Sequence, residues 1–234
     1  ARRRAPGGWE GTTNISRSNG RGAFLPRAGV DQGGAVSVVW WERPGVIRYV
    51  TNANGWGNPE NATGPATQQV GIAVEPNGRV HLLYTESVGD SDNARRISYR
   101  TRQYWGAPWS DTQVLSETGN MLEPRIAWAD GRLVATWSDR TGGEKQIFVM
   151  QNFGDGWRDR QAWTSGFNAF SPRVVEDRNR VAYVAFRNVN SDQIHVSIYT
   201  SGGGPAPSDP PAPPPPSGNP ALPATAILDG AHSF

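Results

Sequence analysis

Pro124-Arg125-Ile126-Ala127-Trp128, Asp130-Gly131, Ala135-Thr136-Trp137, Ile147-Phe148-Val149 and Gly154-Asp155-Gly156-Trp157 follow one another as one full unit of a recurring pattern. A proline-led strand A is followed by a tight turn and a strand B that ends in an aromatic. A polar loop leads to strand C, and a glycine turn then leads through a tryptophan into strand D. Strand A recurs as Pro26-Arg27-Ala28-Gly29-Val30, Val70-Gly71-Ile72-Ala73-Val74 and Pro172-Arg173-Val174-Val175. Strand B recurs as Val38-Val39-Trp40, Leu82-Leu83-Tyr84 and Val184-Ala185-Phe186, and strand C as Ile47-Arg48-Tyr49, Ile97-Ser98-Tyr99 and Ile194-His195-Val196. Turns such as Pro76-Asn77-Gly78 supply hairpin chemistry between A and B.

The tryptophans Trp9, Trp56, Trp105 and Trp157 return at intervals of 47, 49 and 52 residues. A period in this range marks one supersecondary unit stacked several times, and a four-stranded antiparallel unit of this length is a propeller blade. The expected fold is therefore all-β: a β-propeller of four four-stranded blades over residues 9–200. Residues 1–8 form a lead-in, and 201–234 a Pro/Gly-rich tail ending in the short apolar run Ala224-Thr225-Ala226-Ile227-Leu228. The last unit lacks a strand D, whereas Trp9 to Ser16 reads as a strand D without a blade. Closure of the ring by that N-terminal strand follows as an expectation, since it would leave no open edge.

Composition bounds the rest. The 234 residues suffice for one large core, and ten tryptophans offset an apolar content of only 36%. There is no cysteine, hence no disulfide framework and no thiolate metal site. Net charge is +2, and Arg2, Arg3 and Arg4 read as a solvated end, so no nucleic-acid partner is expected. No stretch is long and apolar enough to span a bilayer. The chain opens on Ala1, which fits a removed signal peptide or an excised fragment, and an extracellular or cell-surface location is expected.

The repeats resemble the sialidase-type (BNR-like) propeller repeats of bacterial secreted proteins. The matching features are the proline before strand A, the turn Glu75-Pro76-Asn77-Gly78, and strand C followed by an asparagine-glycine-tryptophan turn. That family carries an Asp-box, Ser-x-Asp-x-Gly-x-x-Trp, in the C–D turn; Thr51-Asn52-Ala53-Asn54-Gly55-Trp56 is a degenerate version of it. The resemblance implies the fold, and the same blades serve enzymes, lectins and scaffolds.

Arg27, Arg125 and Arg173 share one repeat position directly after the proline, with Gly71 as the fourth equivalent. Strand A lines a propeller's channel, so three guanidiniums can converge there on a carboxylate, sulfate or phosphate. The alternative is pairing with the acidic ring at the end of strand B, formed by Glu42, Glu86 and Asp139, with Asn188 in the fourth unit. Trp41, Trp109, Trp128 and Trp163 fall outside the tryptophan repeat. Trp163 aligns with Ile15 and Leu115 and reads as core. Trp41, Trp109 and Trp128 are the candidates for stacking on a sugar. Asn14 and Asn61 open glycosylation sequons at one repeat position.

No catalytic set stands out. Tyr49 and Tyr99 are repeat-equivalent packing positions, and His81, His195 and His232 share no metal-ligand spacing, so neither cofactor nor metal is expected. Three functional classes follow. The first is a non-enzymatic extracellular binding or assembly module, whose residues 205–234 dock on a protein partner or an identical subunit. The second is a lectin-like module for glycan or anion, and the third a sialidase-type glycosidase.

Overall fold

The computed structural model describes residues 4–5, 8–9, 11–89, 94–129, 131–141, 143–176 and 182–199. The proline-rich tail 201–234, the turn at Arg178-Asn179 and His232 lie outside the described residues. Among the described residues there is no helix, and so none long and apolar enough to cross a membrane.

Apart from a two-stranded pair near the N-terminus, the described strands fall into four antiparallel sheets in chain order. Sheet I contains β3 (Ala23–Val30), β4 (Val36–Glu42), β5 (Val46–Thr51) and β6 (Glu60–Asn61). Sheet II contains β7 (Thr67–Val74), β8 (Val80–Ser87), β9 (Arg95–Arg102) and β10 (Gln113–Gly119). Sheet III contains β11 (Leu122–Ala129), β12 (Arg132–Thr141), β13 (Glu144–Asn152) and β14 (Trp157–Ala162). Among the described residues sheet IV has three strands, β15 (Ala169–Glu176), β16 (Ala182–Asn188) and β17 (Gln193–Tyr199). Each first strand packs on the next: β3 on β7, β7 on β11, β11 on β15. This is a propeller-like succession of sheets, as the period requires.

The pairing registers confirm the repeat alignment. Arg27 lies opposite Val39, Gly71 opposite Leu83, Arg125 opposite Thr136 and Arg173 opposite Ala185, one residue before the strand-B aromatic each time.

The core is divided among the joints between sheets. Ile47 and Tyr49 of sheet I pack with Val70, Leu82 and Tyr84 of sheet II. Ile97 and Tyr99 pack with Ile126, Ala135 and Trp137, and Ile147 and Val149 with Val174, Val184 and Phe186. Strand C of one sheet is thus covered by strands A and B of the next, and burying each isoleucine contributes about 1.5–3 kcal/mol. Thr63 and Thr164 repeat a second device, each hydroxyl accepting from the backbone N–H of that strand-C isoleucine, Ile47 at 3.0 Å and Ile147 at 2.9 Å. The hydroxyl of the Asn61 sequon is therefore a structural part of the sheet. Asn61 itself is exposed on β6, and Asn14 is exposed with its side chain bonded to Ser16.

Closure by the N-terminal strand is not found among the described residues. Gly8–Trp9 (β2) pairs with Arg4–Ala5 (β1), residues 11–18 carry no strand, and sheet IV ends at β17. A pairing across the two-residue Pro6-Gly7 segment costs far less loop entropy than one across the whole chain. The strand-C face of sheet IV is consequently bare. Ile47, Ile97 and Ile147 are 0% exposed, whereas their equivalent Ile194 is 70% exposed and Val196 59%. At the other end, Pro26, Ala28 and Val30 of β3 are exposed, although the equivalents Val70, Pro124 and Pro172 are buried. Among the described residues no comparable packing brings β15 back to β3.

This contrast sets the expected cost of truncating equivalent isoleucines. Ile147→Ala should destabilise by about 2–5 kcal/mol, as large-to-small changes in a packed core do. Ile194→Ala should stay within about 0.5 kcal/mol, as a surface change does. Chemical denaturation of both variants checks this, and equal costs would show that the sheet IV face is covered in solution.

Candidate functional site: an arginine cluster at the strand A bulges

Strand A is bulged at the same place in every sheet. Its register against strand B shifts between Phe24 and Arg27, Thr67 and Val70, Leu122 and Arg125, and Phe170 and Arg173. In three sheets the residue before the proline is left-handed: Leu25 at φ 53°, Glu123 at 56° and Ser171 at 53°. A non-glycine residue held there costs of order 1–3 kcal/mol. The motif is thus a left-handed residue, a proline that fixes the next φ, and an arginine. Each arginine then folds back, its Nη1 donating to the carbonyl of its own proline at 2.8 Å (Arg27), 2.7 Å (Arg125) and 2.9 Å (Arg173).

The bulges are tied to one another across sheets. The N–H of Glu123 donates to Gln69 Oε1 at 2.5 Å. Glu123 in turn accepts from the Ser171 N–H at 2.7 Å and from its hydroxyl at 2.8 Å. A bulge removes an N–H from the strand ladder, and here the neighbouring sheet's side chain takes that donor. Gly71, in the fourth place, allows a close backbone approach: a Cβ on it would lie 3.0 Å from both Arg125 Cα and the Pro124 carbonyl oxygen.

Arg125 lies within range of the charges of both Arg173 and Arg27. Burial, then the charges of Arg173 and Arg27, push the Arg125 guanidinium down to about 9, against the pull of Glu123. Its buried Nε has no hydrogen-bond partner. The acidic ring at the end of strand B goes to other arginines within each sheet. Glu86 accepts from Arg96 Nε at 2.8 Å and from the Ser98 hydroxyl at 3.0 Å. Glu42 lies 3.8 Å from Arg48 Nε, and Asp139 lies 3.5 Å from Arg160 Nη2. Asn188 caps its own turn through the N–H groups of Asn190 and Ser191. Positive charge is therefore concentrated beside carboxylates already engaged elsewhere.

Trp41 belongs to this end of the molecule. Its indole N–H donates to the Thr67 carbonyl at 2.7 Å, and its ring lies 5.4 Å from the exposed Phe24. Together with Leu25, Gln68 and Gln69 it lines a cleft of about 450 Å³ at the bulges of sheets I and II, within the usual size of ligand pockets.

Trp128 and Trp109 lie elsewhere. Trp128 is three residues beyond Arg125, about 10 Å along the strand, and stacks on His81 at 6.4 Å. Trp109 packs edge-on against Tyr49 at 5.3 Å beneath the Arg102 guanidinium. Both are half-buried, and Trp128 also borders an open recess beside Val30 and Val74, while Trp163 is core as expected. His81 sits in a buried chain, with Nδ1 2.7 Å from the Tyr99 hydroxyl and Nε2 2.8 Å from Glu75 Oε1. Sequence reasoning missed this chain, because Glu75 lies in a turn and the histidine stands in a hydrophobic strand. Among the described residues no group of three or more metal-ligating side chains occurs.

No known family model and no curated protein matches the sequence. Solved structures match in fold. An alpha-L-arabinanase of Penicillium chrysogenum, complexed with arabinobiose, is 14% identical with a TM-score of 0.58, over 76% of this chain and 61% of that one. The chain thus spans under two thirds of that enzyme's length. The endo-arabinase of Bacteroides thetaiotaomicron is 14% identical at a TM-score of 0.52, over 84% of this chain and 82% of that one. The Trypanosoma rangeli sialidase is 13% identical at 0.53, over 80% and 36% respectively. A sialidase-like propeller fold is supported. The expectation of a non-enzymatic module is overturned by these neighbours, all glycoside hydrolases; the fold is one that enzymes use.

The His81 chain makes stability fall with acid. Burial holds His81 below its ordinary value, partly offset by the bond to Glu75. Burial works to raise Glu75, but its bonds and the charges of His81 and Arg79 leave it below the usual carboxylate range. Unfolding lets His81 take up a proton below about pH 6.5 and Glu75 below about 4.5, so stability is lost as pH drops through that window. Denaturation of the parent and of His81→Phe at pH 7 and pH 5 measures it. The variant should start about 1–3 kcal/mol lower at pH 7, because the Tyr99 hydroxyl and Glu75 Oε1 lose their imidazole partner, and lose less between the two values.

Proposed function

We propose that the protein is an extracellular, carbohydrate-active propeller that takes the anionic group of an acidic glycan at the Arg27/Arg125/Arg173 mouth. The observation that carries this reading is the repetition of three arginines on strained bulges, with Arg125 under the charge of the other two, while Glu42, Glu86 and Asp139 lie against other arginines. Like charges held together destabilise the empty site, and a bidentate oxyanion offsets that repulsion with charge-assisted hydrogen bonds. The cleft beside Phe24 and Trp41 offers an aromatic wall for a sugar of the same chain.

Hydrolysis of the bound glycan is the second reading, favoured by the arabinanase and sialidase names of the fold neighbours. Glu123 is the carboxylate set among the arginines. With both oxygens held by Ser171, it suits positioning the mouth better than donating a proton.

The test is calorimetric titration with trigalacturonate and sialyllactose against neutral arabinotriose and lactose. Acidic ligands should bind, and Arg125→Gln should weaken them about 10- to 100-fold, the value of one charged hydrogen-bonding group. In anion-free buffer at pH 7 the variant should melt higher than the parent, because burial and the charges of Arg173 and Arg27 oppose the charged form of Arg125 in the folded state. Equal binding of neutral and acidic ligands, or an unaffected Arg125→Gln, would exclude this role. Release of reducing ends from the same acidic oligosaccharides decides the hydrolytic reading.

A further inference from the structure

The tryptophan that sheet II uses for packing is Trp109, not Trp105. In sheet III, Trp157 at the start of strand D packs edge-on against Tyr99 of sheet II, at 5.1 Å and 77°. In sheet II the same contact to the preceding sheet, Tyr49 at 5.3 Å and 85°, is made by Trp109. Backbone pairing agrees. Ser110 donates to Thr101 at 2.8 Å, and its counterpart Arg158 pairs with Gln151, the equivalent of Thr101. The turn between β9 and β10 is longer than its counterpart in sheet III, so the even sequence spacing falls on the wrong indole. Trp105 is left without that structural task.

It is also presented outward. Trp105 is 53% exposed and its neighbour Tyr104 62%, an unusual state for residues that normally bury most of their surface. The turn that holds them is fixed rather than loose. Ala107 N–H donates to the Tyr104 carbonyl at 3.1 Å, Gly106 is left-handed at φ 85°, and Arg102 Nε donates to the Ala107 carbonyl at 2.6 Å. Trp105 and Gly106 border a recess of about 160 Å³ that continues onto sheet I at Gly57, Asn58 and Glu60. Arg102 holds the Glu60 carboxylate and Arg17 holds the Asn58 side-chain oxygen.

We infer that Trp105 and Tyr104, with Asn58 and Glu60, form a subsite for a neutral sugar residue on the rim where sheets I and II meet. The aromatic faces take the C–H face of the ring, and the pre-oriented amide and carboxylate take its hydroxyls. Pairing with Arg102 neutralises Glu60, so the recess selects no charge, in contrast to the arginine mouth. The inference does not depend on the mouth, and the two sites respond to different substitutions.

Titration with arabinotetraose, xylotetraose and cellotetraose tests it, followed by calorimetry and by the indole N–H resonance of Trp105 in the parent protein. At least one neutral tetrasaccharide should move that resonance at millimolar concentration. Trp105→Ala should weaken binding about tenfold or more with its melting temperature unchanged, the loss typical of a principal anchor. Arg125→Gln should leave this binding as it is. A Trp105 resonance unmoved by all three sugars, or unchanged affinity in Trp105→Ala, overturns the inference and leaves the exposed pair to protein contact.

Discussion

Three left-handed residues, each locked in front of a proline, set the character of the arginine cluster. Leu25, Glu123 and Ser171 hold strained backbone where strand A enters its sheet. The arginine that follows in each case is brought towards its like-charged counterparts rather than away from them. Such an arrangement opposes stability twice, through backbone strain and through charge repulsion. It persists because the surrounding sheets over-determine it. The hydrogen-bonded line from Gln69 through Glu123 to Ser171 ties three sheets together at the strained points. Gly71 provides the close contact that lets β7 lie against β11.

The rest of the molecule is a stack of joints of one kind. A strand-C isoleucine and its neighbour face the next sheet's inner strands, and at the first two joints an indole from the next sheet closes over the strand-C tyrosine. Each joint needs both partners. Where the succession stops, at Ile194 and Val196 on one side and Val30 on the other, the same residue types stand exposed.

Much of this was legible in the sequence. The proline-arginine repeat is an exact register match in three sheets, because strand A is short and pinned at a fixed distance from the aromatic of strand B. The acidic ring was legible as a repeat but not in its pairing, because Arg48, Arg96 and Arg160 come from strands C and D, with no shared spacing to strand A. Trp105 was misplaced because the interval between tryptophans measures turn length as well as strand length, and the sheet II turn is the long one. Trp109, immediately before the Ser110 that pairs back to strand C, was the available signal. N-terminal closure was not legible either. Strand count alone cannot show that Gly8 and Trp9 find a nearer partner in Arg4 and Ala5.

Charge placement is what separates this mouth from a generic propeller channel, and it is directly observable. A crystal structure of the chain soaked with trigalacturonate tests it most directly. The account predicts an ordered carboxylate within hydrogen-bond reach of Arg125 and of at least one of Arg27 and Arg173. Guanidiniums turned outward onto protein carboxylates, with no ligand between them, would contradict it.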